Sequence, residues 1–454
     1  MLVKINMKLN HQKAWVVAVD MGYGHQRAAA PLKKIAYKKK VINANNYPGI
    51  PEKDLKVWKE SRRFYEFISR FKKVPLIGQA AFDLFDKFQE IPEFYPKRDL
   101  SAPNMQLKYM YHMIEKYKWG EHLIKKMGKK PLPLITTFFV TAFMAEKFDY
   151  PGEIFAVVTD TDISRTWVAL DPRMSRIKYL APSTRAVERL KLYGVPDERI
   201  FHTGFPLPVE NLGSIDLDVL KYDVANRLIN LDPNKKYLNR FDESIRIHLG
   251  EKNYPRTKSN HKLTLMFAVG GAGAQKEIGI EIIKSLFQTI KSGDLRIYLV
   301  AGTHKDIEQY YKSELRKLKM NKYLNKGIRI IHSPAKEDYF KKFNKALKET
   351  DILWTKPSEL SFYTALGLPI IMAPTIGSQE KFNRNWLFKI GSGVEQENPI
   401  YTNEWLYDLL ETGWFAEASM QGFLEAPKYG TYNIQKIISA KPEFCLECKT
   451  EMKY

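Results

Sequence analysis

Residues 14–30 read AWVVAVDMGYGHQRAAA. The opening AWVVAV is a continuous apolar run with three valines, which suits a strand buried on both faces better than one with a wet side. Gly22 and Gly24 then mark a turn. The alanine-rich stretch after His25 predicts a helix over residues 26–37. Residues 263–280, LTLMFAVGGAGAQKEIGI, repeat the same order: apolar strand, glycine-rich turn, helix. Strand, turn and helix following one another is the unit from which parallel sheets with helices on both faces are built.

Working outward from these two stretches, further apolar runs of strand length occupy residues 132–137, 154–159, 177–181 and 199–203 in the first half. In the second half they occupy 295–301, 328–331, 352–355 and 369–373. Amphipathic stretches separate them. One begins at Ser183 or Thr184, residues that cap helix N-termini, and is stopped by Gly194. The predicted fold class is α/β, with two doubly wound parallel-sheet domains in tandem. A polar stretch, residues 209–260, reads as a linker with an inserted helix. The domains are then 1–208, with an insertion at about 45–117, and 261–393, followed by C-terminal helices over 394–454 that cross back to the first domain.

The chain has 454 residues and 44% hydrophobic content, enough for two large cores. Its net charge of +21 concerns partners rather than fold: phosphates, anionic lipid or nucleic acid. No helix-turn-helix, zinc-finger or RNP-like pattern accompanies the charge, so nucleic acid is not the expected partner. Cys445 and Cys448 are the two cysteines, read as reduced thiols on a tail. The basic, polar N-terminus carries no secretory signal, and the longest apolar stretch falls short of a membrane span. The expected location is cytoplasmic, peripheral on the inner face of a membrane.

Candidate site residues cluster after the strands. His25 stands at the first turn of a helix, where an imidazole can act as general base toward a hydroxyl; a structural glycine turn with an incidental histidine reads equally well. Asp160 and Asp162 follow the 154–159 strand, and such carboxylates can raise a histidine's basicity or hold an acceptor. The glycines at 270, 271 and 273 would let a phosphate approach backbone amides, without the Gly-Lys-Ser/Thr of an ATP-hydrolysing loop. Beyond the 352–355 strand, Lys356 can reach a phosphate, Glu359 a ribose, and Gln379 and Glu380 sugar hydroxyls. One segment fits neither sheet. Around residues 57–71, Trp58, Phe64 and Phe71 lie on an apolar helical face ringed by Lys and Arg. A membrane contact is one reading; a helix packed on the first domain with a solvated basic side is the other.

Taken together these stretches resemble the two-Rossmann-domain glycosyltransferases that include diacylglycerol sugar transferases and the bacterial lipid-II-forming enzyme. Gly22-Tyr23-Gly24-His25 followed by Ala28-Ala29 resembles that family's first glycine loop. Val158-Thr159-Asp160 with Trp167 resembles its Thr-Asp…Trp segment. Residues 185–208 resemble the end of its first domain, residues 270–273 the glycine loop of its second, and residues 351–393 its donor-binding block.

The resemblance implies GT-B architecture, with two Rossmann-like domains facing a cleft. It implies a UDP-sugar donor held by Gly270, Gly271, Gly273, Lys356, Glu359, Gln379, Glu380 and Asn383. It implies His25 as base with Asp160 beside it, Gly22, Gly24 and Trp167 at the acceptor, and no bound metal or cofactor. The expected activity is transfer of a sugar to a lipid or membrane-associated hydroxyl. The alternatives are a UDP-N-acetylglucosamine 2-epimerase-like enzyme and a non-catalytic nucleotide- or nucleic-acid-binding protein.

Overall fold

The computed structural model describes residues 12–71, 91–255, 257–268, 275–375 and 378–440; the side chains of 62–71 and of Ser378 fall outside the description. The chain divides into two compact units. Unit 1 runs to Pro206, apart from Gly22–Gly24, and resumes at Tyr429; unit 2 is Leu207–Lys428 together with Gly22–Gly24.

Unit 1 holds a six-stranded sheet in the order β2-β1-β3-β4-β5-β6. Its strands are β1 (Ala14–Ala18), β2 (Ala36–Asn43), β3 (Leu134–Thr136), β4 (Ile154–Val157), β5 (Lys178–Ala181) and β6 (Ile200–His202). Every pairing is parallel. Side chains of a strand alternate between faces, and here both faces are buried. Val17, Leu134, Ile154, Ala156 and Tyr179 enter one core, while Val16, Ala18, Ile135, Phe155 and Leu180 enter the other. This is why the strands read as continuous apolar runs. The first core is closed by Trp58, Leu107, Ile114, Leu123 and Phe143, the second by Ala29, Leu32, Ile434, Ile437 and Ile438. Each fully buried Val, Leu, Ile or Phe among these contributes about 1.5–3 kcal/mol relative to exposure.

Unit 2 holds a second six-stranded parallel sheet in the order β12-β11-β10-β7-β8-β9. Its strands are β7 (Leu263–Ala268), β8 (Leu295–Gly302), β9 (Ile328–His332), β10 (Ile352–Thr355), β11 (Ile370–Met372) and β12 (Gly393–Glu395). Two doubly wound parallel sheets are thus the fold class. In each the order reverses once, between β1 and β3 and between β7 and β10.

Three local readings need correction. The helix expected over 26–37 ends as Gly24–Ala29, followed by a 3-10 turn Ala30–Lys34 and then β2. Pro31 has no N–H to continue the ladder, and the lysine-rich β2 is an edge strand, where charge is tolerated. The stretch read as a linker is folded into unit 2. Within its helix Asp218–Leu231, Leu220, Val224, Leu228 and Leu231 are fully buried. In the same helix the buried Arg227 donates to the carbonyls of Leu347 (2.8 Å), Thr350 (2.7 Å) and Leu366 (2.6 Å). Two of these carbonyls end a helix and a 3-10 helix, where a cation offsets the negative dipole end. Finally, Trp58 is not on a surface. It packs edge-on against Trp119, ring centroids 4.6 Å apart, and the nearby Asp54 accepts from Gly120 N–H at 3.3 Å. The amphipathic helix Glu52–Phe71 therefore turns its first apolar turns into unit 1. Phe64 and Phe71 have side chains outside the described residues.

The last described helix, Gly430–Ser439, lies on the sheet of unit 1, and Asn433 Nδ2 donates to the Thr203 carbonyl at 2.9 Å. A Cβ on Gly430 would collide with the backbone of Phe205 and Gly204. Gly430→Ala should cost about 1–3 kcal/mol, since backbone cannot rotate away. Urea unfolding followed on the whole chain checks this; an unchanged transition would mean that the helix sits less tightly on the sheet.

Candidate functional site

Open α/β sheets bind ligands outside the carboxyl ends of their strands, where the strand order reverses. In unit 1 that point lies between β1 and β3, and His25 is there. Its Nδ1 donates to the Thr137 carbonyl, one residue past β3, at 2.6 Å; the Thr137 hydroxyl donates back to the His25 carbonyl at 2.8 Å. A carbonyl only accepts, so Nδ1 carries the proton and Nε2 keeps the lone pair. The ring lies against Phe138 (4.9 Å between centroids) and Trp167 (6.3 Å). Burial among these rings pushes its pKa down to about 4, with the Thr137 bond opposing the shift. The imidazole is neutral at physiological pH. The support expected from Asp160 is not what Nδ1 receives, because the Thr137 carbonyl occupies that nitrogen.

The loop after β1 is clamped by a residue that sequence reading missed. Asn45, just past β2, accepts from Asp20 N–H at 2.9 Å and donates to the Asp20 carbonyl at 3.2 Å. Gly22 has a φ of +103°, a value that favours glycine. Trp167 is buried in the 3-10 turn Arg165–Trp167, against Phe139 at 5.0 Å. Arg165 fixes that turn by donating to the carbonyls of Ser101 (2.8 Å) and Val168 (2.7 Å).

Asp160 follows β4 and is partly exposed, on a loop held at three consecutive later residues. Ser183, the cap of helix Thr184–Leu192, donates to the Thr161 carbonyl at 2.7 Å. Arg189 makes a two-pronged bond to Asp162, at 2.8 and 2.9 Å, and Tyr193 donates to the Ile163 carbonyl at 2.8 Å. Both oxygens of Asp162 are engaged by the buried Arg189, so this aspartate braces the loop.

In unit 2 the reversal lies between β7 and β10. The Thr355 hydroxyl donates to the Ala268 carbonyl at 3.0 Å, tying the two strand ends together. Lys356 follows directly, its Nζ donating to Glu380 Oε1 at 2.5 Å. Glu380 comes from the first turn of helix Ser378–Lys389, after β11. Glu359 opens the 3-10 helix Glu359–Leu366, and both it and Gln379 are partly exposed. Asn383 is fully buried, and its amide donates to the Pro357 carbonyl at 3.3 Å. That bond ties helix Ser378–Lys389 to the Lys356–Ser358 corner. Gly270, Gly271 and Gly273 lie outside the described residues. Lys356, Glu380, Pro357 and Asn383 are thus brought together in one unit, and His25, Phe138 and Trp167 in the other.

A family model described as a domain of unknown function (DUF6938) matches residues 248–438. No curated protein matches the chain. Solved structures similar to it include the UDP complex of MnaA from S. aureus, at 14% identity and TM-score 0.47, covering 97% of this chain and 99% of that one. MurG of Acinetobacter baumannii matches at 12% identity and TM-score 0.45, covering 94% and 99%. The UDP-GlcNAc 2-epimerase of Neisseria meningitidis bound to UDP-GlcNAc matches at 14% identity and TM-score 0.44, covering 77% and 84%.

Two expectations follow from the geometry. Arg189→Met strands the Asp162 charge in the interior and should cost about 3–5 kcal/mol, while Arg189→Met with Asp162→Leu should recover much of it. Equal losses in single and double variants, by denaturant titration, would remove the brace role. The second concerns pH. The folded pKa of His25, about 4, lies below its ordinary 6.5, so the unfolded chain protonates first as pH falls. Stability from this group is unaffected above about 6.5 and is lost progressively down to about 4. His25→Asn should flatten that acid loss; identical pH profiles for both proteins would contradict the burial of the imidazole.

Proposed function

We propose that the chain is a UDP-sugar-dependent glycosyltransferase acting on a lipid or membrane-associated hydroxyl. The observation that carries this reading is that chemically active side chains stand at the strand-order reversal of each sheet: His25 in unit 1, Lys356 with Glu380 in unit 2. The neutral imidazole with its lone pair on Nε2 suits proton abstraction from an acceptor hydroxyl as that oxygen attacks the anomeric carbon. The departing diphosphate takes the bonding pair, and Lys356 offsets its charge. Glu380 holds the Lys356 ammonium in place. Glu359 and Gln379, partly exposed at the same strand ends, are assigned to ribose and sugar hydroxyls. The glycine loop at 270–273 is assigned to the pyrophosphate, and Gly22, Gly24 and Trp167 to the acceptor side. Asp160 is assigned a supporting role through the acceptor. The net charge of +21 favours an anionic membrane surface on the cytoplasmic side, with no nucleic acid required. Among the described residues no helix is long and apolar enough to cross a membrane.

A thermal-shift comparison of UDP, GDP, ADP and NAD tests the donor. Ligand at a hundredfold excess over its dissociation constant stabilises by about 2.7 kcal/mol, which a melting curve resolves. A shift with UDP alone is expected; a shift with none would overturn the donor assignment. Incubation of UDP-sugars with and without lipid acceptors then separates transfer from epimerisation, since an epimerase converts the donor alone. His25→Ala should lower turnover by about 10²–10⁴-fold, the usual contribution of a general base, with UDP binding retained. Unchanged turnover would end the role of His25 as base.

A further inference from the structure

Unit 1 gathers positive charge along one edge. Residues 1–51 hold nine Lys or Arg against one acidic residue, Asp20, and residues 122–132 hold four Lys and no Asp or Glu. The described parts of these stretches meet along β2, an edge strand of the sheet. Between the partners Ala14↔Ala36 and Val16↔Val41, β1 advances two residues and β2 five, so β2 bulges. Within the bulge Lys38 and Lys39 take φ of +53° and +52°. Successive side chains of a regular strand point to opposite faces. Here the bulge leaves Lys38, Lys39 and Lys40 all exposed.

The second stretch closes over this edge. Helix Glu121–Gly128 ends beside Trp15, whose Nε1 donates to the carbonyls of Met127 (3.2 Å) and Lys130 (3.0 Å). Trp15 packs edge-on against Tyr37, ring centroids 4.7 Å apart. Lys130 Nζ stands 4.3 Å from the centre of the Tyr37 ring and Lys38 Nζ 5.6 Å from it. Beyond the other end of β2, Lys126 Nζ donates to the Pro48 carbonyl at 3.0 Å. Just before β1 and β2 begin, Lys13 Nζ donates to the Lys34 carbonyl at 3.2 Å. The lysines therefore run the length of the edge strand, and Lys13, Lys34, Lys126, Lys129 and Lys130 are exposed like the three in the bulge. The carboxylate among them is Glu121, paired to Lys125 at 2.9 Å.

Protecting an edge strand from stray pairing takes a bulge and a few charges. It does not account for Lys126, Lys129 and Lys130, which lie outside the strand. The anion that fits is a broad one, because the lysines spread along an edge instead of converging on a pocket. The exposed cations of both stretches are lysines. Arginine, whose planar fork suits nucleic-acid phosphates and bases, is present only as the buried Arg27. The rings on which bases would stack, Trp15 and Tyr37, are taken up by each other and by Lys130 and Lys38.

We propose that the β2 edge of unit 1 is the surface by which the chain lies on an anionic phospholipid bilayer. A lysine cluster gains from the negative field of such a bilayer without a pocket, by roughly fivefold in affinity per lysine. Contact through the edge lays the strands of unit 1 along the bilayer. The carboxyl end of β1, with His25 beyond it, then lies beside the headgroups instead of pointing away from them. The use of that placement for a lipid acceptor rests on the function proposed above; the contact itself is measured without any sugar donor.

Sedimentation of the full chain with vesicles tests this, comparing phosphatidylglycerol mixed into phosphatidylcholine with phosphatidylcholine alone. Binding to the first and not to the second is expected, weakening with added salt as the screening length shortens. Lys38→Gln with Lys39→Gln and Lys40→Gln should weaken binding about 10²-fold, and Lys129→Gln with Lys130→Gln about 30-fold. The second pair lies outside any strand and keeps the test if the first set does not fold. Lys322→Gln with Lys326→Gln and Arg329→Gln removes as much charge as the first set, from exposed positions of unit 2, and should bind nearly as the unaltered chain does. Unchanged melting temperatures show that the variants are folded. No binding to the anionic vesicles at low salt would overturn the proposal, as would equal losses in the unit 1 and unit 2 variants. Capture of single-stranded or duplex DNA by a chain that leaves the vesicles alone would overturn it in favour of nucleic acid. A missing UDP shift beside intact vesicle binding would count against the donor assignment and not against this edge.

Discussion

Burial of each parallel sheet on both faces is the constraint from which the rest follows. A strand with no wet side has little room for polar side chains along its length, so most of the polar chemistry is displaced to the strand ends. Alternate residues of β1 enter separate cores, Val17 one and Val16 the other, and no polar side chain interrupts them. Just beyond such ends come His25, Thr137, Asp160, Lys356 and Glu380. The reversal in strand order then selects among the ends, because only there do neighbouring connections diverge to opposite faces and leave a crevice. Chemistry and fold are linked by this exclusion.

The same constraint explains what could be read from the chain alone. Strands such as β1 and β7 announce themselves because double burial demands uninterrupted apolar residues. Ser183 and Gly194 bracket their helix because capping and left-handed turns need particular side chains. β2 is hidden because it is an edge strand, where lysines cost little, and β12 because its three residues, Gly393–Glu395, hold one apolar side chain, Val394. Residues 209–260 read as a linker with one inserted helix rather than as part of unit 2 because the polar exposed sides of their helices dilute the buried stripe; Arg227 in particular looks like a surface cation until three carbonyls are found around it.

The site divides along similar lines. Glycines and charged residues after strands are visible as types at positions, so His25 and Lys356 could be singled out. Which partner each one meets is a matter of tertiary approach. Nothing in the local sequence announces that Thr137 takes the His25 Nδ1, that Arg189 takes Asp162, or that Asn383 turns inward to Pro357. Trp58 shows the ambiguity of an aromatic residue on an amphipathic helix. Its large apolar surface suits a bilayer or a protein core, and the presence of Trp119 decides for the core.

The return of helix Gly430–Ser439 to the sheet of unit 1 has a consequence for synthesis. Ile434, Ile437 and Ile438 complete a core whose other members come from the first and middle parts of that unit. Unit 2 is, in chain order, an insertion within unit 1. A ribosome delivers the chain from the N-terminus onward, and domains ordinarily fold in that order. Here the unit that is begun first is finished last: until the residues near 439 emerge, one face of its sheet is covered by Ala29, Leu32 and Ile35 alone, while every described strand of the other unit is already available to pair.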